Sequence, residues 1–172
     1  MMTFMELAKD RYSVRKFSEK PIEKEKLEQI LEAGRIAPTA HNYQPYRVYV
    51  LQSSDAIAKI RELTPCAFNA PAVLMVTACR DEQWVNDMEK GFVMGEVDAA
   101  IVATHMMLEA WELGIASCWV AHFPPTRTAD VFHLSHNETP VLLMPMGYPQ
   151  EGAHPSHLHE QRRPLSELVR YL

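Results

Sequence analysis

Residues 95–114 read Gly-Glu-Val-Asp-Ala-Ala-Ile-Val-Ala-Thr-His-Met-Met-Leu-Glu-Ala-Trp-Glu-Leu-Gly, and this stretch carries the strongest structural signal in the chain. One set of residues recurs at helical spacing: Val97, Ile101, Thr104, Leu108 and Trp111. The opposite side is also largely apolar, with Ala99, Ala100, Ala103, Met106 and Met107. We therefore predict a helix from about residue 95 to 113, closed by Gly114, that is buried within the domain or against a second subunit.

Around this helix, four short stretches are typical of β-strands. Residues 47–51 are rich in Val and Tyr, and residues 117–121 and 141–146 complete the set with residues 73–77. The stretch 73–77 is apolar at successive positions, so both of its faces are expected to be buried under helices.

Two amphipathic helices are predicted near the N-terminus. Thr3 and Glu6 form a capping box for the first, and Pro21 precedes a Glu/Lys-rich run with Leu27 and Ile30 that marks the second. Helices and strands together predict an α+β fold of three layers, with a mixed sheet flanked by helices.

Composition limits the class of partner. The chain has 172 residues, 47% of them hydrophobic, which suits a single domain with one sizeable core. A net charge of −5 argues against broad attraction to nucleic acid or to an anionic membrane. The apolar stretch 71–79 is far shorter than the roughly 20 residues that cross a bilayer. No basic region precedes an apolar block at the N-terminus, so a cytoplasmic protein is expected.

Cysteines and histidines are expected to have no metal or disulfide role. Cys66, Cys79 and Cys118 are widely spaced and lie in or beside apolar segments, which predicts reduced and mostly buried thiols. His154, His157 and His159 in the tail match no common zinc spacing, so solvated or capping histidines are favoured over a metal site. The chain also contains no Gly-x-Gly-x-x-Gly and no Gly-x-Ser-x-Gly.

A basic segment follows the first helix. Arg11, Ser13, Arg15 and Lys16 lie within six residues. Guanidinium groups and a hydroxyl can hold a phosphomonoester by charge-assisted hydrogen bonds. A solvated basic turn is the alternative, and the motif alone favours that alternative.

Two further segments are candidate ligand sites. The loop 37–46 carries polar side chains between Pro38 and Pro45, and its amides can present a donor and an acceptor to a heterocycle edge; an ordinary turn is equally compatible. Arg162 and Arg163 near the C-terminus can close on the same phosphate or simply lie on a solvated tail.

Taken together, these segments resemble the FMN-dependent nitroreductase family over nearly the whole chain. The stretch Arg11-Tyr12-Ser13-Val14-Arg15-Lys16-Phe17 is similar to the family's opening flavin-binding motif. The resemblance implies that Arg11 and Ser13 meet the phosphate side, whereas Arg15 approaches the isoalloxazine ring. The loop is similar to the family's Ala-Pro-Ser-x-x-Asn-x-Gln-Pro segment, which reaches the flavin from the partner subunit. Its implied binding residues are Pro38, Thr39, Ala40, Asn42 and Gln44.

Later motifs follow in the family's order. The stretch Leu113-Gly114-Ile115-Ala116-Ser117-Cys118-Trp119 resembles the segment that precedes the contact with flavin N5. That contact falls on Val120, Ala121 and His122. The stretches Gly147-Tyr148-Pro149 and Arg162-Arg163-Pro164-Leu165 match the closing motifs, so Tyr12, Arg162 and Arg163 join the implied cofactor-binding set.

The resemblance also implies architecture. Residues 1–172 are expected to form one nitroreductase-like domain with a mainly antiparallel sheet. Two copies are expected to intertwine as a homodimer, with the tail 153–172 packing on the partner.

The sequence departs from the family pattern in three places. Ala121-His122 stands where many relatives have Gly-Gly, which crowds the face of the ring. Cys66 and Glu160 replace basic residues of relatives, so Arg15 and Arg162 are expected to carry more of the charge. Residues 80–92 are a candidate lid over the substrate.

The implied function is an FMN-dependent NAD(P)H oxidoreductase, with NADH or NADPH as a transient donor. Nitroaromatics, quinones or similar small acceptors would be reduced by a ping-pong hydride transfer. No residue is assigned as a general acid or base, because the flavin performs the chemistry. The alternative is a flavin-binding storage or regulatory protein without turnover.

Overall fold

The computed structural model describes residues 2–172, which form helices on both faces of one sheet. Within these residues the helices are α1 (Phe4–Asp10), α2 (Lys24–Arg35), α3 (Ser54–Leu63), α4 (Gly95–Glu112), α5 (Pro125–Val131) and α6 (Leu165–Leu168). The strands are β1 (Tyr46–Leu51), β2 (Ala72–Cys79), β3 (Ala116–Ser117) and β4 (Glu138–Gly147). Two short 3-10 turns cover Ala40–Asn42 and Pro65–Ala67.

The sheet has the order β1-β2-β4-β3, and each pairing is antiparallel. All eight residues of β2 are buried, which confirms the expectation for residues 73–77. Leu74 and Val76 face a core shared with α2 and α4. Val73 and Met75 face a second core formed with α3. The predicted α+β fold of helix, sheet and helix layers is therefore confirmed.

Helix α4 packs closely against α2 across the first core. Met106 is fully buried, and a Cβ added to Gly34 would lie 2.8 Å from its Cγ. The predicted helix and its closure by Gly114, with a φ of +74°, are confirmed. Burial on all sides is not achieved within one chain, because Val97 remains 46% exposed.

Smaller predictions are also confirmed. Thr3 and Glu6 form the capping box, in which the Thr3 backbone N–H donates to Glu6 Oε2 at 2.7 Å. The three cysteines are free; Cys79 and Cys118 are buried, whereas Cys66 is partly exposed.

The predicted strand 117–121 is wrong in its extent. Regular pairing ends at Ser117, and beyond it a single bridge joins Val120 to Leu143. The Cys118 N–H still donates to the Pro145 carbonyl at 3.1 Å. Because Pro145 has no N–H to return, the ladder stops there.

Three helices, α3, α5 and the short α6, lie outside the predicted elements. Helix α3 begins after Ser53, whose side chain accepts from the Ala56 N–H, and it buries Ile57 and Ile60. Helix α5 begins at Pro125 and buries only Thr128. A Ser N-cap and a Pro in the first turn were the available signals.

The tail 153–172 runs along the surface. The Tyr12 hydroxyl donates to the Ala153 carbonyl at 3.3 Å, and the His159 ring contacts the Lys9 carbonyl at 3.2 Å. Its packing on a partner, like the single-domain assignment, stays a prediction. No helix within the described residues is both long and apolar enough to cross a membrane.

The α2–α4 packing generates a stability prediction. Met106→Ala should lower the free energy of unfolding by about 2–5 kcal/mol, because the fully buried side chain leaves a cavity. Met88→Ala is the matched control, since Met88 is 92% exposed and its loss should cost under about 0.5 kcal/mol. Urea titration followed by circular dichroism measures both, and equal losses would contradict this view of the core.

Candidate functional site

The basic segment after α1 is held by two buried residues, Val14 and Phe17. The Val14 N–H donates to the Ser117 carbonyl at 3.1 Å, and Phe17 pairs with Pro149 in an isolated bridge. Both side chains are buried in a small core with Ala116. Between them Arg15 is exposed, and Ser13 before them is half-buried.

The first cleft joins this segment to the C-terminal tail. Its volume is about 240 Å³. The segment contributes four residues and the tail contributes four, namely Arg11, Tyr12, Ser13 and Arg15 with Ser156, Leu158, His159 and Arg162. The structure therefore brings Arg11, Ser13 and Arg162 together, as the resemblance implies.

The electrostatics of this cleft favour an anion. Burial, reinforced by repulsion from Arg162, lowers the pKa of Arg11, although a guanidinium stays protonated at neutral pH. None of the ion pairs within the described residues includes Arg11, Arg15 or Arg162. Positive charge is thus concentrated without a neutralising carboxylate, and a bound anion would relieve the repulsion.

Two neighbouring clefts extend this surface, and Arg15 lines all three. One, of about 350 Å³, adds Lys16 and His154 to Ser13 and Arg15. The other, of about 800 Å³, places Arg61 beside Arg15 and Lys16. Cations therefore line all three clefts, and Glu19 is the carboxylate that lines the largest of them.

The second candidate segment, the loop 37–46, lies at the N-terminal end of α4. The Ala40 N–H donates to Asp98 Oδ1 at 2.9 Å. His41, Asn42 and Gln44 all have left-handed backbone, with φ of 52°, 55° and 54°. Such residues cost about 1–3 kcal/mol each and persist only where their surroundings hold them. The loop is therefore a conformation that its surroundings hold in place.

The candidate lid packs against this loop. The Trp84 ring stacks on His41 with centroids 5.7 Å apart and planes 16° apart. Gln83 Oε1 accepts from the Gly95 N–H at 3.2 Å, which ties the lid to the start of α4. Residues 80–92 and the loop therefore form one corner of the molecule.

The third candidate segment is Val120 to His122. Val120 is bonded to Leu143 in both directions, at 2.9 and 3.0 Å. The Thr64 hydroxyl donates to the His122 carbonyl at 2.6 Å. The N–H groups of Ala121 and His122 have no acceptor within the described part of the chain, so both are free to donate to a ligand.

The basic cleft and the loop lie at opposite ends of α4. Asp98 in the first turn holds the loop, whereas Trp111 in the last turn packs on Tyr12 at 5.2 Å and donates to Asp10 at 2.9 Å. Between Asp98 and Trp111 the helix rises about 20 Å. One chain therefore does not bring Asn42 to Arg11.

Comparison with known proteins shows which family has this fold and these segments. The Nitroreductase family model matches residues 8–68 and 62–148. A nitroreductase family protein from Clostridium difficile 630 has 40% identity and a TM-score of 0.92, with coverage of 99% of this chain and 98% of that one. The chain belongs to the nitroreductase family. The family assignment and the oxidoreductase class predicted from the sequence are confirmed.

Other similar proteins are more distant in sequence. A Thermus thermophilus protein named NADH dehydrogenase is 27% identical, with 92% of this chain and 91% of that protein covered. The structure of an Exiguobacterium sibiricum protein in complex with FMN has a TM-score of 0.83 and 22% identity, covering 100% and 98% of the two chains. The latter likeness supports the fold alone.

Two residues change the predicted list of site residues in this chain. Arg163 is not brought to the cleft; it lies 3.6 Å from Glu167 on the exposed tail. Thr64, which sequence reasoning missed, is 98% buried and holds His122. A single Thr before a Pro matches no sequence pattern that would indicate a contact with His122.

The thiol beneath the segment adds no charge to the site. Burial raises the pKa of Cys118, and Arg15 and the hydrogen bond with Ser13 offset part of that rise. Cys118 is therefore a neutral packing group at pH 7.

A separate cleft of about 430 Å³ contains His133, His136 and Asp130 but none of the predicted cofactor residues. Among the residues that the structure describes, no group of three or more His, Cys, Asp or Glu side chains is arranged to hold a metal ion.

The unneutralised arginines predict stabilisation by inorganic phosphate. At constant ionic strength, phosphate should raise the melting temperature of the flavin-free protein, because it binds the cleft of the folded protein and not the unfolded chain. Arg162→Gln should abolish most of this shift, whereas Arg127→Gln on α5 should keep it. An equal shift in both variants, measured by scanning calorimetry, would place the anion elsewhere.

Proposed function

We propose that this chain is an FMN-dependent NAD(P)H oxidoreductase that acts as a homodimer on nitroaromatics, quinones or similar small acceptors. The observation that carries the proposal is the meeting of Arg11, Ser13 and Arg162 in one cleft without a carboxylate. Family membership and the FMN complex of the Exiguobacterium sibiricum protein support the choice of cofactor.

The donors of the cleft fit the phosphate of FMN. Arg11 and Arg162 offer planar forks that match a phosphomonoester, and Ser13 adds a hydroxyl donor. Two guanidinium groups balance the charge of about −2 that such a phosphate carries at neutral pH.

The remaining residues would orient the ring and influence its electron affinity. Bound FMN supplies the group that accepts and donates hydride. Arg15, which lines all three clefts, adds a fixed positive charge that favours electron uptake. The free N–H groups of Ala121 and His122 offer donors, and Thr64 holds that segment in place.

A second copy of the chain would complete each site. Asn42 and Gln44 are held about 20 Å from the basic cleft along α4. A twofold dimer can place the loop of one copy over the cleft of the other. The partly exposed side of α4, including Val97, supplies an apolar surface for that contact.

The electron donor would visit the site and leave again. The chain lacks the Gly-rich turn of a resident dinucleotide, and the basic surface beside Arg15 is open to solvent. NADH or NADPH would reduce the flavin and depart before the acceptor enters the same space. The lid at residues 80–92 would shape that space.

Subunit complementation tests the shared site. Arg11→Gln/Arg162→Gln and Asn42→Ala/Gln44→Ala should each weaken FMN binding more than tenfold as homodimers. A heterodimer of the two, purified through different tags, should regain about one tight site, because one of its two sites contains only native residues. Fluorescence titration counts the bound FMN. A heterodimer that binds no better than its parents would contradict a site built from two copies.

Anaerobic reduction tests the chemistry. Purified yellow protein should lose the absorption band of oxidised flavin, at about 450 nm, when NADH or NADPH is added. Initial rates with varied donor and acceptor should give parallel double-reciprocal lines, as expected for ping-pong kinetics. Flavin that binds but stays oxidised with both donors would instead favour a storage or regulatory protein.

A further inference from the structure

Asp98 is a buried acid with one oxygen bonded and one free. It lies in the first turn of α4 and is 1% exposed. Its Oδ1 accepts from the Ala40 N–H at 2.9 Å. Its Oδ2 is buried and has no hydrogen-bond partner among the described residues. An acid in this state is unfavourable for stability alone, since burial of an unpaired polar atom opposes folding.

The bond to Ala40 links the loop tip, residues 39–44, to α4. One other bond leaves the tip, from the Tyr46 N–H of β1 to the Gln44 carbonyl at 2.8 Å. The remaining bonds close within the tip: the Asn42 N–H donates to the Thr39 carbonyl, the Tyr43 N–H to the Ala40 carbonyl, and the Gln44 N–H to the Thr39 hydroxyl. Across the described chain, Asp98 is the hydrogen-bonding group that joins this tip to the helix layer.

The amide side chains of the tip are held together by hydrogen bonds. Gln44 Nε2 donates to the Asn42 carbonyl at 3.2 Å and to Asn42 Oδ1 at 3.3 Å. We therefore expect a displacement at Ala40 to shift both amide side chains. Trp84 restrains the same tip from the lid side through its stack on His41.

Favourable interaction with the helix dipole does not explain the burial of Asp98. Glu96 lies in the same first turn and is exposed, so it already supplies a solvated negative charge there. What Asp98 adds is a fixed acceptor beneath Ala40. An ionised acceptor makes a stronger hydrogen bond than a neutral one.

We propose that Asp98 is a positioning residue for the cofactor: its carboxylate fixes Ala40 and thereby sets the Asn42 and Gln44 amides that contact the flavin of the other subunit. This inference rests on the proposed function. Asp98 itself does not touch the reacting atoms.

Three variants test this role. Asp98→Ala removes the acceptor, Asp98→Asn keeps a neutral oxygen for Ala40, and Glu96→Gln removes a neighbouring exposed charge as the matched control. Hydrogen exchange of peptides covering residues 37–46 reports the anchoring without flavin. FMN affinity and the visible circular dichroism of flavin at saturation report the positioning.

In Asp98→Ala, amide exchange in the tip and the Kd for FMN should each rise about tenfold or more, and the visible dichroism of bound flavin should change. Asp98→Asn should show a rise of about threefold in both, because the neutral bond is weaker. Glu96→Gln should match the wild type. A purely structural role would lower the melting temperature but leave the dichroism of saturated protein unchanged.

Wild-type FMN affinity in both Asp98 variants would overturn the inference, as would faster exchange without any effect on flavin. If Asp98→Ala does not fold, wild-type exchange and wild-type FMN affinity in Asp98→Asn are by themselves enough to overturn the inference. A wild-type protein that fails to bind FMN would instead overturn the proposed function, so the two failures are distinguishable.

Discussion

The packing of α4 against the doubly buried strand β2 is the constraint on which the rest of the structure depends. This packing buries Leu74, Val76 and Met106 in the core. Helix α4 has 18 residues, so its two ends lie about 27 Å apart. One end of the helix holds the loop and the lid, and the other end supports the basic segment. The core of the protein thus sets the geometry of its candidate site.

Three features of the candidate site reduce the stability of the single chain. Arg11 and Arg162 repel each other in a partly buried cleft, three loop residues have left-handed backbone, and Asp98 keeps a buried oxygen without a partner. Each feature opposes folding of a single chain. A bound phosphorylated flavin, as proposed above, would relieve the repulsion between the two arginines because its phosphate supplies the opposite charge.

Periodic segments and ordered motifs could be predicted from the sequence because their signals are local. The capping box at Thr3, the run at 73–77 and the helix closed by Gly114 all follow from neighbouring residues. Helix α3 was missed although the Ser53 N-cap and the helical spacing of Ile57, Ile60 and Leu63 are local signals for it. The strand after Ser117 was overextended because its end depends on Pro145, which lies on another strand.

By itself, the sequence determined that α1, α2 and α4 are helical, that β2 is a central strand and that the ordered motifs signal a flavin-dependent oxidoreductase. Only the tertiary structure decided that Arg162 joins Arg11 while Arg163 does not, that Thr64 holds His122, and that Asp98 anchors the loop. These contacts join residues distant in sequence. They follow from the strand order β1-β2-β4-β3 and from close packing across it, which no local pattern of residues specifies.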